Sequence, residues 1–159
     1  MPAYSFQERF VPFVRNGTKN QTVRKRRAKG FARKGDTLYL YYGLRTKWCT
    51  KLKEAECTDA KTIVITKPRY IERMPELYIF SRRLQDDEIE IKDGDIIIHR
   101  KEEYCFHQLL NEELDRFAWD DGFRPDGSTR ENPVGCWRLM CRYWMQTHEL
   151  PFVGDLIKW

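Results

Sequence analysis

"RNGTKNQTVRKRRAKGFARKGDTLYLYYG", Arg15 to Gly43, decides how the chain reads. It begins at the end of a short helix, because "RFVPFVRNG" stops at Asn16-Gly17, a pair suited to a C-terminal turn. "QTVRK" is then a short strand. "KGDTLYLYYG" is a turn at Gly35-Asp36 followed by a strand rich in Leu and Tyr. Successive side chains of a strand point to opposite faces. Val23 is the natural core residue of "QTVRK", so Thr22 and Arg24 share the other face. From Arg15 to Lys34 the stretch holds nine Lys or Arg and no acid, and Thr22 stands three residues after Lys19.

The strands continue beyond it. "KLKEAECTDAKTIVITK" reads as strand, bend, strand, and "PELYIFSRR" adds another. "EIEIKDGDIIIHR" is two strands around an Asp-Gly turn, a strong hairpin signal. Two helices follow. "EEYCFHQLLNEELDRFAWDDGF" puts Phe106, Leu109, Leu110, Leu114, Phe117 and Ala118 on one stripe, and Gly122 is a natural left-handed stop. "NPVGCWRLMCRYWMQTH" starts with Asn132 as N-cap and Pro133 at the first helical position. Its apolar stripe is Val134, Trp137, Met140, Cys141, Trp144 and Met145, which reads as core and not as a cofactor box. "LPFVGDLIKW" returns as a final strand. The expected class is α+β: a small closed or nearly closed β-barrel with helices packed around it. No repeat or linker interrupts the 159 residues, so a single domain, 1–159, is expected.

Composition narrows the function. Apolar residues make up 41% and aromatics 14%, which excludes a disordered chain. No apolar run approaches the roughly 20 residues of a membrane span. "MPAYSFQERF" lacks the apolar core of a signal peptide, so a cytoplasmic location without membrane contact is expected. The net charge is +5, and acids gather away from the basic block, in "DDEIEIKDGD" and "NEELDRFAWDD". Such segregation predicts an electropositive face for a polyanion. The five cysteines are an odd count without CxxC spacing. Reduced, buried thiols fit better than a zinc site built from Cys49, Cys57, Cys136 or Cys141 with His107; no metal and no cofactor are expected.

Three residues carry candidate chemistry. Lys19 lies on the loop after Gly17 and can fold back over Thr22. "GTK" is not a Walker A loop, since no glycine stands five before Gly17. A threonine hydroxyl attacks only with a base in reach, and a lysine is a base only when neutral. Asp121 shares the inward stripe of Phe117 and Ala118, yet sits in a last helical turn, where the macrodipole disfavours an anion. Either it is a frayed, solvated helix end or it breaks the local rule for a functional reason. In the second case its expected part is to orient the substrate or shuttle a proton, and not simply to pair with Lys19.

"GTKNQTVR" followed by "KGDTLYLYYG" resembles the signature of ASCH domains, a branch of the PUA-like superfamily. "GLRTKWCTKLKEAECT", "FAWDDGF" and "LPFVGDLIKW" look like later blocks of a phage and bacterial subgroup, so the resemblance spans nearly the whole chain. It implies a β-barrel with helices around it and a cleft beside the Gly-x-Lys loop. It also implies partners such as RNA, modified bases or nucleosides. One branch of small ASCH enzymes hydrolyses N4-acetylcytidine with a lysine, a threonine and a glutamate. Lys19 and Thr22 fall on the first two, and Asp121 stands near the glutamate's place, one methylene shorter. The chain has extra material around Arg69 to Asp95 compared with those enzymes.

The expected function is binding of a nucleoside or an exposed nucleic-acid base in a basic cleft, with hydrolysis of N4-acetylcytidine to cytidine and acetate. Lys19, Thr22 and Asp121 would be catalytic. Arg24, Lys25, Arg26, Arg27, Arg45, Lys47 and Trp48 would bind substrate or single-stranded or modified nucleic acid, with Trp48 or Tyr42 as a stacking platform. The alternatives are a non-catalytic module for RNA or modified DNA, and a ribonuclease using one of the three histidines.

Overall fold

Turn residues cut the chain into ten strands and three helices among the residues that the computed structural model describes, 1–68, 70, 73–99 and 105–159. In chain order they are β1 (Ala3–Phe6), α1 (Val11–Arg15), β2 (Gln21–Lys25), β3 (Thr37–Tyr42), β4 (Thr50–Glu56) and β5 (Asp59–Ile65). There follow β6 (Leu77–Phe80), β7 (Ile89–Lys92), β8 (Asp95–Ile98), β9 (Phe106–Leu109), α2 (Glu112–Asp120), α3 (Cys136–Thr147) and β10 (Phe152–Lys158). A 3-10 turn, Glu8–Phe10, leads into α1.

The closing strand organises the larger sheet. β10 pairs antiparallel with β2 on one edge and β5 on the other, giving the order β2-β10-β5-β6-β9. Its residues are buried almost without alternation, as a strand covered on both faces requires. The smaller sheet is β1-β3-β4, with β1 parallel to β3. Its edge strand β4, "TKLKEAE", is largely exposed and charged, which discourages pairing with another chain. One core cluster joins both sheets to the helices through Phe6, Val14, Leu38, Leu40, Ile63, Leu77, Ala118, Met140 and Leu156. Each of these side chains larger than Ala118 contributes about 1.5–3 kcal/mol on burial.

The mixed α+β class holds. Among the described residues, however, the ladders form separate three-, five- and two-stranded sheets and do not join into a closed barrel. Three further expectations need correction. Phe106 and Leu109 are not helical; they lie in β9, which pairs with β6. Asn111, at φ 45° and ψ −115°, cannot continue a helix and forces α2 to begin at Glu112. Leu110 is exposed between the two elements, and the expected helix start at Glu102–Tyr104 lies outside the described residues. The second helix begins at Cys136 and not at Pro133, because Gly135 adopts φ 82°. Asp115 of α2 replaces Asn132 as the group that satisfies this N-terminus, accepting from the Trp137 N–H at 2.8 Å. Val134 and Met145 are consequently exposed, while Trp137, Met140, Cys141 and Trp144 are buried.

The described part of the extra segment builds its own small core. Val64, Phe80, Leu84 and Ile89 cluster with Ile96 and Ile98 of the β7-β8 hairpin. Val64 faces this cluster while its neighbours Ile63 and Ile65 face the main one, so β5 separates the two. Arg69, the first residue of that segment, lies outside the described residues.

Candidate functional site

Three segments meet at a cleft of about 460 Å³: the loop between α1 and β2, strand β2 itself, and the end of α2. They bring Lys19, Thr22, Arg24 and Asp121 to its lining, with Ser5, Phe6, Gln7 and Phe10 on one wall and Tyr143, Trp144 and His148 on another.

Lys19 is placed by the turn at Gly17 and by its own backbone, which donates to the Phe13 carbonyl at 2.9 Å. It is only 1% exposed. Its Nζ donates to Asp121 Oδ1 at 2.9 Å and also to the Asp121 main-chain carbonyl. The Phe10 and Phe6 rings lie 5.0 and 5.8 Å from the amine. Burial pushes the Lys19 pKa down to about 8. The Asp121 charge and hydrogen bond oppose that shift, and the nearby Arg24 and Arg124 charges reinforce it.

Asp121 caps the C-terminal end of α2 and is 5% exposed, so it is not a frayed, solvated end. Burial raises its pKa, against the pull of Lys19 and Arg24. The cost of an anion at this helix end is met by a cation: Lys19 covers both the carboxylate and the orphan carbonyl. This direct pair departs from the expectation that Asp121 does not simply pair with Lys19. Gly122 ends the helix at φ +92°. A Cβ there would approach the Phe10 ring to 2.9 Å and Lys19 Cδ to 3.2 Å, so both conformation and space demand glycine.

Thr22 is 4% exposed and stands opposite Ile157 in the ladder with β10. Arg24 donates from Nη2 to the Ser5 carbonyl at 2.8 Å and lies 4.8 Å from the Phe6 ring. Its Nε is buried and has no hydrogen-bond partner among the described residues. Burial lowers its pKa, although Asp121 opposes this. The lining holds Lys19, Arg24, Lys25, Arg26 and Arg27 against the single acid Asp121, so the cleft is electropositive.

The binding candidates divide. Lys25 is exposed at the end of β2. Arg27 is exposed, with its guanidinium 5.0 Å from the Tyr4 ring and weak donations to the Ala3 carbonyl. Arg26 is already occupied: it donates to Thr62 Oγ1 at 3.2 Å, to Asp86 Oδ1 at 3.0 Å and to the Leu84 carbonyl. A guanidinium so engaged is a structural tie, because phosphate would have to displace those partners. Arg45, Lys47 and Trp48 lie on the β3-β4 connection and do not line the cleft. They are exposed, Lys47 Nζ sits 4.8 Å from the Trp48 ring, and the Leu44 N–H donates to Ser5 Oγ at 3.1 Å, which moors this loop to the cleft rim. Tyr42 is half-buried opposite Phe6 in the β1-β3 ladder, a poor stacking platform.

Several residues at or beside the cleft escaped the sequence reading, among them His148, Gln7, Tyr143 and Arg124. His148 stacks on Trp144 with centroids 4.0 Å apart, and burial lowers its pKa. It stands four residues after Trp144, as the extended residue that ends α3 (Cys136–Thr147). Gln7 donates to the Tyr143 hydroxyl at 3.2 Å, bridging the two walls. Arg124 holds the loop before Lys19. Nothing in the local sequence announces that Gln7 meets Tyr143 or that Arg124 reaches Thr18, since these partners are distant in the chain. Among the described residues there is no group of His, Cys, Asp and Glu able to hold a metal. Cys49 and Cys105 are exposed, whereas burial pushes the thiols of Cys57 and Cys141 up to about 11 and about 12.

No family model matches the chain, and neither curated proteins nor solved structures yield a match.

Proposed function

We propose that the cleft takes a nucleoside or an exposed nucleic-acid base and hydrolyses an N4-acyl amide on cytosine, as the resemblance to ASCH-domain amidohydrolases of PUA-like fold implies. The observation that supports this is a buried lysine amine, its pKa brought down to about 8, lining one cleft with Thr22 and Asp121. A neutral Lys19 amine accepts the Thr22 proton as Oγ attacks the acyl carbon. The tetrahedral oxyanion faces the Arg24 guanidinium. Collapse breaks the bond between carbon and N4; the proton held at Lys19 goes to N4 and cytidine leaves. Water then hydrolyses the acyl-threonine ester, releasing acetate and restoring the hydroxyl. Asp121 orients the lysine amine by accepting from it in the resting site.

One observation favours a second reading. Asp121 pairs directly with Lys19 and so favours its ammonium form. A cleft that keeps Lys19 charged is a non-catalytic module, which reads RNA or a modified base with Lys19 and Arg24 as anion contacts and the exposed Trp48 as a platform. Incubation of the protein with N4-acetylcytidine, followed by chromatography of cytidine and acetate, separates the two. Turnover that Thr22→Ala abolishes supports the amidohydrolase. No turnover of any N4-acylcytidine, together with binding of the ligand, supports the module.

A further inference from the structure

We propose that Arg124 is the positioning residue of this cleft: its guanidinium fastens the loop that carries Lys19 to the helix end that carries Asp121. The inference rests on the cleft being the working site, but not on which reaction it performs.

Each of the three guanidinium nitrogens of Arg124 donates to this joint. Nη1 donates to Thr18 Oγ1 at 2.9 Å and Nη2 to the Thr18 carbonyl at 2.7 Å, one residue before Lys19. Nε donates to the Trp119 carbonyl at 3.2 Å, two residues before Asp121. The guanidinium plane lies 3.6 Å from the Trp119 ring and 4.3 Å from Phe13. Phe13 in turn gives its carbonyl to the Lys19 N–H. Loop and helix end are thus bolted together at both sides of the Lys19–Asp121 pair. A planar fork is needed, because two parallel bonds to one residue and a third to a helix carbonyl fix orientation as well as distance. A lysine ammonium here would keep the charge and lose the fork.

The joint matters for the amine. Groups facing Lys19 Nζ are Asp121 from α2, Arg24 from β2, and the Phe6 and Phe10 rings, with Arg124 as the next charge. The Arg124 charge and the burial of Lys19 that the fastened loop maintains both favour loss of the Lys19 proton. Loosening the loop or removing the charge acts in the opposite sense.

The test uses protein carrying 13Cε-labelled lysine, with the Lys19 signal assigned by its disappearance in Lys19→Arg. Wild type, Arg124→Met, Arg124→Lys and Thr18→Ala are titrated by NMR, and each is first checked for a cooperative unfolding transition. A midpoint moved to higher pH in Arg124→Met is expected. Arg124→Lys should fall between Arg124→Met and wild type, and Thr18→Ala should shift in the same direction by less. Should Arg124→Met unfold, Thr18→Ala and Arg124→Lys carry the test unaided. Unmoved midpoints in every folded variant overturn the proposal. Where wild type turns over an N4-acylcytidine, Arg124→Lys should lower kcat about tenfold with KM little changed, since misplacement of a reacting group acts on the chemical step. An inactive wild type would count against the amidohydrolase alone and would leave the Lys19 titration as a complete test of Arg124.

Discussion

Two buried ion pairs lie along the course of β2, and they are built to opposite ends. Lys19–Asp121 lies at the cleft, 2.9 Å apart, with side chains 2% and 7% exposed. Arg83–Asp155 lies near the far end of the strand, where Asp155 stands opposite Arg24 in the ladder, 3.0 Å apart, with side chains 12% and 6% exposed. By distance and burial they are near twins. Their surroundings differ. The lysine has aromatic walls and an open cleft in front of it. Arg83 is held on every side: Nη2 donates to the Arg27 carbonyl, the guanidinium lies 3.8 Å from the Phe31 ring, and Arg26 ties the same region to Thr62, Leu84 and Asp86. An arginine does not give up its proton, while a desolvated lysine does. The first pair is therefore suited to chemistry. The second is a clasp that fixes the basic loop after β2 to the extra segment.

The sharpest way to break this contrast is activity. On the amidohydrolase reading, Thr22→Ala lowers kcat by about a thousandfold or more while ligand affinity stays within a few-fold, because only the nucleophile is lost. Lys19→Arg behaves likewise, since a guanidinium cannot act as base. Arg83→Met, by contrast, keeps kcat within about tenfold of wild type. Steady-state kinetics on all three would erase the distinction if Arg83→Met were as dead as Thr22→Ala.

Stability should show the reverse order. Asp155→Ala leaves the Arg83 charge buried without its partner and should cost about 3–5 kcal/mol in urea denaturation. Lys19→Met should cost much less, because the Asp121 carboxyl, whose pKa burial already raises, can take up a proton and stay neutral. Equal losses would mean that the two pairs do the same job.

The pH dependence separates them further. Lys19 titrates at about 8 in the folded protein and at 10.5 as an ordinary lysine. Between those values the unfolded chain holds a proton that the folded site has released. Stability therefore rises with pH across that window, and below about 8 this source contributes no slope. On the amidohydrolase reading, turnover climbs as the lysine amine loses its proton around pH 8 and then levels. Urea midpoints from about pH 7 to about pH 10 should rise more in wild type than in Lys19→Met. A wild-type curve that falls relative to the variant contradicts the sign.

What the sequence disclosed follows from which forces are local. The helix stop at Gly17, strand "QTVRK", the Asp93-Gly94 hairpin and the closing strand rest on turn chemistry and alternation, and all appear as read. Asp121 was suspect because it offends the helix dipole, and the structure supplies the cation that the offence required. The misreadings are non-local. "CFHQLL" has an apolar spacing that fits a helix, but β6 offers it a strand partner and the backbone at Asn111 breaks the helix. Sequence marks Arg26 only as one cation of nine; its carbonyl and carboxylate partners sit about sixty residues away. Arg124 was invisible for the same reason: two of its three acceptors lie on Thr18, 106 residues earlier.

The smallest expected effect lies at the boundary between the two regions, where Lys25 and Arg26 are neighbours. Lys25 is the last residue of β2, and Arg26 stands just beyond it. Lys25 is exposed at the cleft rim, and Arg26 is bound into the clasp. If the cleft follows single-stranded nucleic acid, Lys25→Ala should reduce the slope of log affinity against log salt by about 0.7, one released counterion, and leave the thermal midpoint unchanged. Arg26→Ala should leave that slope nearly intact, because its charge is already neutralised by Asp86 and its donors are occupied. It should instead lower stability by about 1–3 kcal/mol, as loss of several partly buried hydrogen bonds does. Fluorescence anisotropy with a short single-stranded RNA across a salt series, paired with thermal melts, reads both quantities. An Arg26→Ala slope change as large as that of Lys25→Ala would place Arg26 among the phosphate contacts and make the basic block one continuous surface. A slope change confined to Lys25 would show that consecutive residues of one cationic run serve the ligand and the fold separately.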